Sequence, residues 1–270
     1  MHITINNLKT LIKSNLNLTI IFDYLIGLTG MNFEKEYKII NVIQKNNPIV
    51  LDIGAHKGES IRNFLRFKPK AIIYAFEPNQ GLARGLKKKF KKNENITIYD
   101  SAVSNKKKLS LYTPYINGYP FSGLSSVSKK NIIERLNNFY SFNYKKNIVF
   151  RNRKIKTIAI DKLSLKPDLI KIDAEGYEFE IVKTAIKTIN RTKPILIIEF
   201  NSNSFDKLNN LLLRLDYIAN IYNEENKGYL SKIDLHLLKK IKKENNLVNL
   251  IYTHKKSSHL INSKFPSAFD

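Results

Sequence analysis

Four apolar runs in this chain end in residues that can do chemistry. Ile49, Val50 and Leu51 lead into Asp52, Gly54, Ala55, His56, Lys57 and Gly58. AIIYAF leads into Glu77, LIKI into Asp173, Ala174, Glu175 and Gly176, and ILII into Glu199 and Asn201. A glycine at such a point lets the backbone turn tightly, and a carboxylate can accept hydrogen bonds from a diol or a proton from a reacting hydroxyl. Glu77 lies 23 positions after Gly54 and 19 after Gly58. In a right-handed βαβ unit that separation sets the acid at the carboxyl end of the second strand, beside the turn that closes the first.

Glycine spacing narrows the ligand. A dinucleotide-binding turn carries G-x-G-x-x-G, whose middle glycine admits a pyrophosphate. The turn here reads Gly54-Ala55-His56-Lys57-Gly58 and lacks it, so a nucleoside without a diphosphate fits better. S-adenosylmethionine is such a ligand. Its amino-acid carboxylate would meet the helix N-terminus at Gly58, Glu59 and Ser60; Asp52 would face its ammonium or sulfonium, and Glu77 would hold its ribose. The plainer reading is a glycine that ends a strand, as in any α/β protein.

The elements that must position these residues alternate between strand and helix. Ile61, Phe64 and Leu65 recur at helical spacing after Gly58. AIIYAF is the second strand, residues 81–91 the next helix, and residues 95–104 a third strand whose Asp100, Ser101 and Ala102 lie where an adenine would rest. LSLYTPY then forms a hairpin with that strand through the turn at residues 105–108. Residues 115–150 are rich in turn and aromatic residues and do not fit a simple crossover; they are expected to form an inserted lid or acceptor segment, in which Ser125 and Ser126 can hydrogen-bond an acceptor. Residues 155–163 alternate again. Leu169 to Ile172 is a fourth strand of the parallel sheet, followed by one helix with Phe179, Ile181, Val182, Ala185, Ile186 and Ile189 inward. ILIIEFN is a fifth strand, residues 205–215 a helix, residues 217–222 a further segment, Ile233, Leu237, Leu238 and Ile241 an amphipathic helix, and LVNLIYTH a closing strand. Residues 1–47 show helical spacing (Leu8, Leu11, Ile12; Ile20, Ile21, Tyr24, Leu25, Leu28; Tyr37, Ile40, Ile43) and read as a cap on the sheet or cleft, or as a helix pair for a homodimer. Residues 255–270 read as a loose tail.

Composition bounds the alternatives. Two hundred and seventy residues bury an ordinary core. Cysteine is absent, which excludes disulfides and thiolate metal sites. The longest apolar stretch, residues 18–28, is interrupted by Asp23 and too short to span a membrane; with no secretory signal at the first residues, the cytoplasm is the expected compartment. A net charge of +23 invites a polyanion as partner. Lysine, however, outnumbers arginine 38 to 8, and arginine is the residue suited to forked phosphate recognition. The runs Lys87, Lys88, Lys89, Lys91, Lys92 and Lys239, Lys240, Lys242, Lys243 therefore read as solvated faces rather than a nucleic-acid groove. The five histidines show no zinc spacing.

With DIGAHKG, FEP, DSAVS and KIDAEGYE in this order, the chain resembles the FkbM family of S-adenosylmethionine-dependent methyltransferases over roughly residues 48–201, and more weakly to 252. The resemblance implies an α/β fold over residues 48–254: a class I methyltransferase (Rossmann-like) sheet of seven mostly parallel strands, the last antiparallel, with helices on both faces. It also implies methyl transfer to a hydroxyl of a sugar, glycan or related metabolite. Family members usually carry asparagine where His56 stands; both side chains donate hydrogen bonds. Such a transfer is an in-line displacement that needs an aligned oxygen and an acceptor for its proton. Asp173 and Lys171, two apart on one strand, point to one side. Asp173 would touch the methionine end of the cofactor or the acceptor hydroxyl, and Glu175 would be the general base. Alternatively, Lys171 pairs with a carboxylate to satisfy a buried strand end and Glu175 caps the following helix. Glu199 and Asn201 would contact the acceptor; with Asp173 they also offer oxygens that Mg2+ accepts, although a metal is not the favoured reading. The competing functions are an RNA-binding protein or RNA methyltransferase on the basic surface, and a cofactor-binding scaffold without turnover.

Overall fold

The structure, a computed structural model, describes residues 15, 17, 35–139, 147–222, 230–232 and 249–257. Within it a 3-10 helix, Lys35–Val42, precedes β1 (Ile49–Ile53), α1 (Glu59–Phe67), β2 (Ile72–Phe76), α2 (Gln80–Lys89), β3 (Ile96–Tyr99) and β4 (Ala102–Val103). Then come β5 (Leu109–Ile116), β6 (Tyr119–Pro120), α3 (Lys129–Phe139), β7 (Ile148–Ile155) and β8 (Thr157–Ile158). The chain continues through β9 (Leu169–Ile172), α4 (Glu178–Lys183), α5 (Ile186–Thr192), β10 (Ile195–Glu199), α6 (Phe205–Arg214), β11 (Tyr217–Tyr222), β12 (Leu230–Lys232) and β13 (Asn249–His254).

The main sheet runs β12-β11-β13-β10-β9-β1-β2-β3. From β3 to β10 all neighbours are parallel, and β13 is antiparallel to both β10 and β11. That is the expected seven-stranded arrangement with β12 added as an eighth strand on the β11 edge. The parallel strands are buried on both faces, which is why they read in the sequence as unbroken apolar runs rather than as alternation. Val50, Ile73, Leu169, Ile195 and Ile197 share one core with Tyr37, Ile40, Ile61, Phe64 and Leu86. The other side, Leu51, Ile53, Ile170, Ile172, Leu196 and Ile198, packs on Ile181, Val182, Ile189, Phe205, Leu208 and Leu212. One face is thus covered by the 3-10 helix, α1 and α2, the other by α4, α5 and α6, and each buried aliphatic side chain contributes about 1.5–3 kcal/mol.

Four local expectations need correction. Residues 95–104 are not one strand: β3 ends at Tyr99, and β4 pairs in parallel with β8 in a separate two-stranded sheet, Ala102 opposite Thr157 and Val103 opposite Ile158. The hairpin expected across residues 105–108 is consequently absent. β5 instead pairs with β6, Tyr115 opposite Pro120, and neighbours β7. Residues 155–163 give only the short β8 and a 3-10 turn at Ile160–Lys162. The helix after β9 is broken into α4 and α5 where Thr184 turns its hydroxyl back to the Ile181 carbonyl and its own carbonyl accepts from Asp161. The expected helices before residue 35 (residues 15 and 17 apart), the amphipathic helix at 233–241 and the tail beyond 257 lie outside the described residues.

The described residues of Ser110–Lys154 belong to a second compact unit, separate from the one that holds the main sheet. Ile116, Phe121, Leu124, Ile132 and Leu136 make its core, with Tyr112, Tyr119, Ile148 and Phe150 packed around it. The segment that has no crossover pattern in the sequence is therefore a small folded body.

Gly54 closes β1 at φ +83, and a Cβ there would stand 1.8 Å from the Asp173 carbonyl oxygen. Gly54→Ala is expected to cost about 2–4 kcal/mol through overpacking and backbone strain. Gly85→Ala, on an exposed turn of α2 with nothing near the added methyl, should gain about 0.5–1 kcal/mol. Urea denaturation reads both; equal midpoints for the two variants would contradict the close approach of the β1 and β9 loops.

Candidate active site

The turn after β1 is held by its neighbour β2. The amides of Gly54 and Ala55 both donate to the Phe76 carbonyl, at 2.9 and 3.2 Å, and Gly58 donates to the Ala55 carbonyl at 2.7 Å. His56 sits at φ +46, and its amide donates to Glu77 Oε2 at 2.9 Å; the Asn79 amide donates to Glu77 Oε1 at 2.8 Å. Glu77 is thus brought beside the turn, as the 19- and 23-residue separations require, and it clasps the turn's backbone. Each of its oxygens keeps a second lone pair with which to accept a hydroxyl. Glu77 is 6% exposed, and burial pushes its carboxyl up to about 7 against the opposing pull of the Asn79 and His56 amides and the His56 and Lys171 charges.

Gly58, at φ +87, is the N-cap of α1 and supplies no side-chain cap. The helix therefore presents backbone N–H groups to whatever anion meets the turn. Glu59 is turned aside: it accepts from the Lys57 amide at 3.1 Å and lies 3.6 Å from His56 Nδ1. Burial would push its carboxyl up, but the hydrogen bond and charge of His56 outweigh that and bring it down to about 2.

Beneath the turn lies a buried charge cluster. Asp52 and Lys171 are register partners on β1 and β9. Lys171, 3% exposed, donates to the Gly54 carbonyl at 2.8 Å and stands 3.6 Å from Asp52 and 3.3 Å from Asp173. Ser60 Oγ donates to the fully buried Asp52, whose carboxyl burial raises despite Lys171 and Ser60. Asp52 and Ser60, expected to face a ligand, are both buried beneath the turn; Asp52 Oδ2 takes the Ser60 hydroxyl, while its Oδ1 has no hydrogen-bond partner among the described residues. Lys171 follows the alternative reading, a cation that completes a buried strand end.

The loop after β9 carries the accessible chemistry. The Asp173 side chain is 37% exposed and its amide donates to Ile53. Ala174 and Gly176 amides donate to Glu178 Oε1 at 3.1 and 2.9 Å, so Glu178 ties the loop, and α4 has no side-chain N-cap. Glu175 occupies φ +53, and carboxylate oxygens of Asp173, Glu175 and Glu199 all lie within 4.8 Å of one another. This oxygen set suits a hard divalent cation; it differs from the expected one in having Glu175 in place of Asn201. Asn201 Oδ1 accepts from Asn203 in the turn that opens α6. Asp100 and Ser101 lie in the break between β3 and β4, Ala102 begins β4, and the Tyr99 ring before them stacks on Phe76 at 4.8 Å. Ser125 and Ser126 belong to the separate unit, where Ser125 Oγ pairs with Thr113 Oγ1 at 2.8 Å and buried Ser126 bridges to Tyr112.

Three contributors are absent from the sequence expectations. Glu178 ties the loop, Asn79 both caps α2 and donates to Glu77, and Tyr177 hydrogen-bonds Ser104 at 3.1 Å. An acid in the first turn of a helix and an asparagine just before one are the signals that could have found Glu178 and Asn79; Tyr177 leaves none.

The family described as methyltransferase FkbM domain matches residues 52–219. The chain is similar to the 2-O-methyltransferase NoeI of Sinorhizobium fredii (strain NBRC 101917 / NGR234), 22% identical over 157 residues, 58% of this chain and 65% of NoeI. The chain therefore spans just under two thirds of that relative. Among solved structures, a methyltransferase FkbM from Methylobacillus flagellatus KT superposes with TM-score 0.48 at 16% identity, over 77% of this chain and 44% of that one. A TehB-like methyltransferase from Corynebacterium glutamicum does so with TM-score 0.44 at 12% identity, over 88% and 97%.

Glu77 makes stability depend on pH with a defined sign. Between its unfolded value near 4.5 and its folded value of about 7, the native chain holds a proton that the unfolded chain has released, so stability falls as pH rises through that window. The full effect is at most about 3 kcal/mol. Glu59 acts in a different window, below 4.5. Urea titrations at about pH 5 and about pH 8 should show the loss in wild type and a flatter response in Glu77→Gln; an identical slope in both would show that Glu77 does not carry it.

Proposed function

The chain belongs to the FkbM family of S-adenosylmethionine-dependent methyltransferases, and from that premise we propose that it moves a methyl group from S-adenosylmethionine to a hydroxyl of a saccharide or related metabolite. One observation carries the reading: Glu77, a buried acid at the end of β2, grips the Gly54–Gly58 turn at the end of β1. The residues fit that cofactor. The uncapped α1 N-terminus suits its amino-acid carboxylate, Glu77 retains acceptor capacity for two ribose hydroxyls, and Phe76, Tyr99, Asp100, Ser101 and Ala102 form the edge beyond them. When bound, the cofactor supplies a methyl group already activated by its sulfonium.

The protein's own task is to align an oxygen and take its proton. Asp173 is our choice for the group that meets the acceptor hydroxyl. It is part-exposed, it stands at a strand end, and Lys171 at 3.3 Å fixes its orientation. Glu175 and Glu199 surround it with further acceptor oxygens, which can hydrogen-bond a polyol or, if the reaction requires one, a Mg2+ ion. The unit Ser110–Lys154 is our candidate for the acceptor-binding element, because an inserted body selects substrates without altering the cofactor turn. No helix among the described residues is long and apolar enough to cross a membrane, and we place the reaction in the cytoplasm, in keeping with a chain without cysteine.

Calorimetry with S-adenosylhomocysteine tests the cofactor half. Wild type should bind and release a proton near neutral pH, since hydroxyls donating to Glu77 favour its charged form; Glu77→Ala should bind at least about tenfold more weakly. Asp173→Asn should retain folding yet lower S-adenosylhomocysteine release on a saccharide panel by about 10^2- to 10^4-fold. Full turnover in Asp173→Asn would remove it from the chemistry, and unchanged affinity in Glu77→Ala would sink the cofactor assignment.

A further inference from the structure

We propose that the outward sheet face of the unit Ser110–Lys154 binds an acidic saccharide, a glycan whose sugars carry carboxylate or phosphate groups. This deepens the acceptor reading above and rests on it. Residues 110–154 contain eight lysines and arginines against one acid, Glu134. Arginine is scarce in this chain, eight residues in all, yet Arg135, Arg151 and Arg153 fall in this segment. Where lysine is the default basic residue, an arginine marks a position at which the planar fork, rather than the charge alone, has a use.

β7 is an edge strand of the sheet β6-β5-β7. Its Ile148 and Phe150 pack with the core of the unit, so Val149, Arg151 and Arg153 project from the opposite face. All three are exposed, Val149 at 60%. The Arg151 guanidinium lies over the Tyr115 ring of β5, 4.3 Å from its centroid. A cation held over a ring is positioned before any ligand arrives, and a guanidinium so placed can grip an oxyanion bidentately with its N–H groups. Arg153, two residues on, repeats the charge on the same face, and Val149 offers apolar surface to the C–H side of a sugar ring.

Two other readings fit less well. Single-stranded RNA is held by bases stacked on open aromatic faces, whereas the face of Tyr115 that Arg151 covers is closed to a base. The lysine run Lys87, Lys88 and Lys89 occupies the last turn of α2, where its charge complements the helix dipole, and Lys89 donates to the Lys57 carbonyl. Charges on an edge strand also deter strand-to-strand aggregation, but either sign serves that purpose, so charge reversal separates protection from recognition.

The full-length protein would be titrated with tetragalacturonate, phosphorylated maltotetraose and neutral maltotetraose, with poly(U) as the nucleic-acid arm and S-adenosylhomocysteine as a separate readout of the cofactor turn. An acidic tetrasaccharide should bind better than the neutral one, and which of the two binds names the acidic group. Arg151→Glu/Arg153→Glu should weaken it by about tenfold or more, the scale of losing charge-assisted contacts, and leave S-adenosylhomocysteine affinity unchanged; Lys87→Glu/Lys88→Glu should not weaken it. Arg151→Gln/Arg153→Gln gives the same reading if the reversal disturbs folding. Equal affinity for neutral and acidic saccharides, tighter binding of poly(U), or self-association of the reversed variant with saccharide binding intact would each overturn the proposal. Failure of S-adenosylhomocysteine to bind wild type would instead strike the methyltransferase reading and leave this surface standing.

Discussion

A single buried cation, the Lys171 ammonium, joins the ends of the two central strands. It reaches the Gly54 carbonyl at 2.8 Å while standing between Asp52 on β1 and Asp173 past the end of β9. A lysine this deeply buried is tolerated only where opposite charge and acceptors surround it, and removing its partners costs about 3–5 kcal/mol. The register that places Asp52 opposite Lys171 is therefore strongly specified, and with it the height at which the two catalytic-end loops meet. Gly54 follows from the same constraint: its φ of +83 and the proximity of the Asp173 carbonyl leave room for no side chain.

Around that cation the carboxylates divide by burial. Asp52 is fully enclosed, Glu77 nearly so, and Glu178 is committed to the Ala174 and Gly176 amides; burial raises all three. Asp173 alone of this group combines a partner that orients it with substantial exposure. The site thus separates acids that build the frame from one that can meet a substrate. A chain of net charge +23 gathers acids at its strand ends, whereas residues 110–154 hold a single acid, Glu134, so the two regions differ in the sign of the charge they present.

What the sequence made legible depends on whether the deciding contact is local. β1, β2, β9 and β10 are readable because strands buried on both faces must be continuously apolar, and the Gly54–Gly58 turn because positive φ demands glycine. Glu77 is readable because one helix fixes its distance from that turn. The break after Tyr99 is not, since β4 takes its partner β8 from far along the chain and no nearby residue announces it. The folded character of residues 110–154 is hidden for a similar reason: Ile116, Leu124 and Leu136 form a core only once β5 and α3 meet. Asp52 and Ser60 were legible as a pair near the turn, but types and spacing do not say whether a carboxylate faces the cleft or the core.

Asp52 and Asp173 illustrate how that last question is decided. Both lie on the face of the sheet that carries Lys171, one at the end of β1 and one just past β9. Asp52 is still within its strand, under the start of α1, where Ser60 reaches down to it. Asp173 is one residue beyond the last strand position, where no helix covers it. Asp52 lies opposite Lys171 in the register, so Asp173 stands two residues further along the strand axis, and that step of about 7 Å is enough to move an acid from scaffold to surface. The acid left accessible is the first residue past the strand, and Lys171, two residues earlier on the same face, supplies the charge that holds it in place.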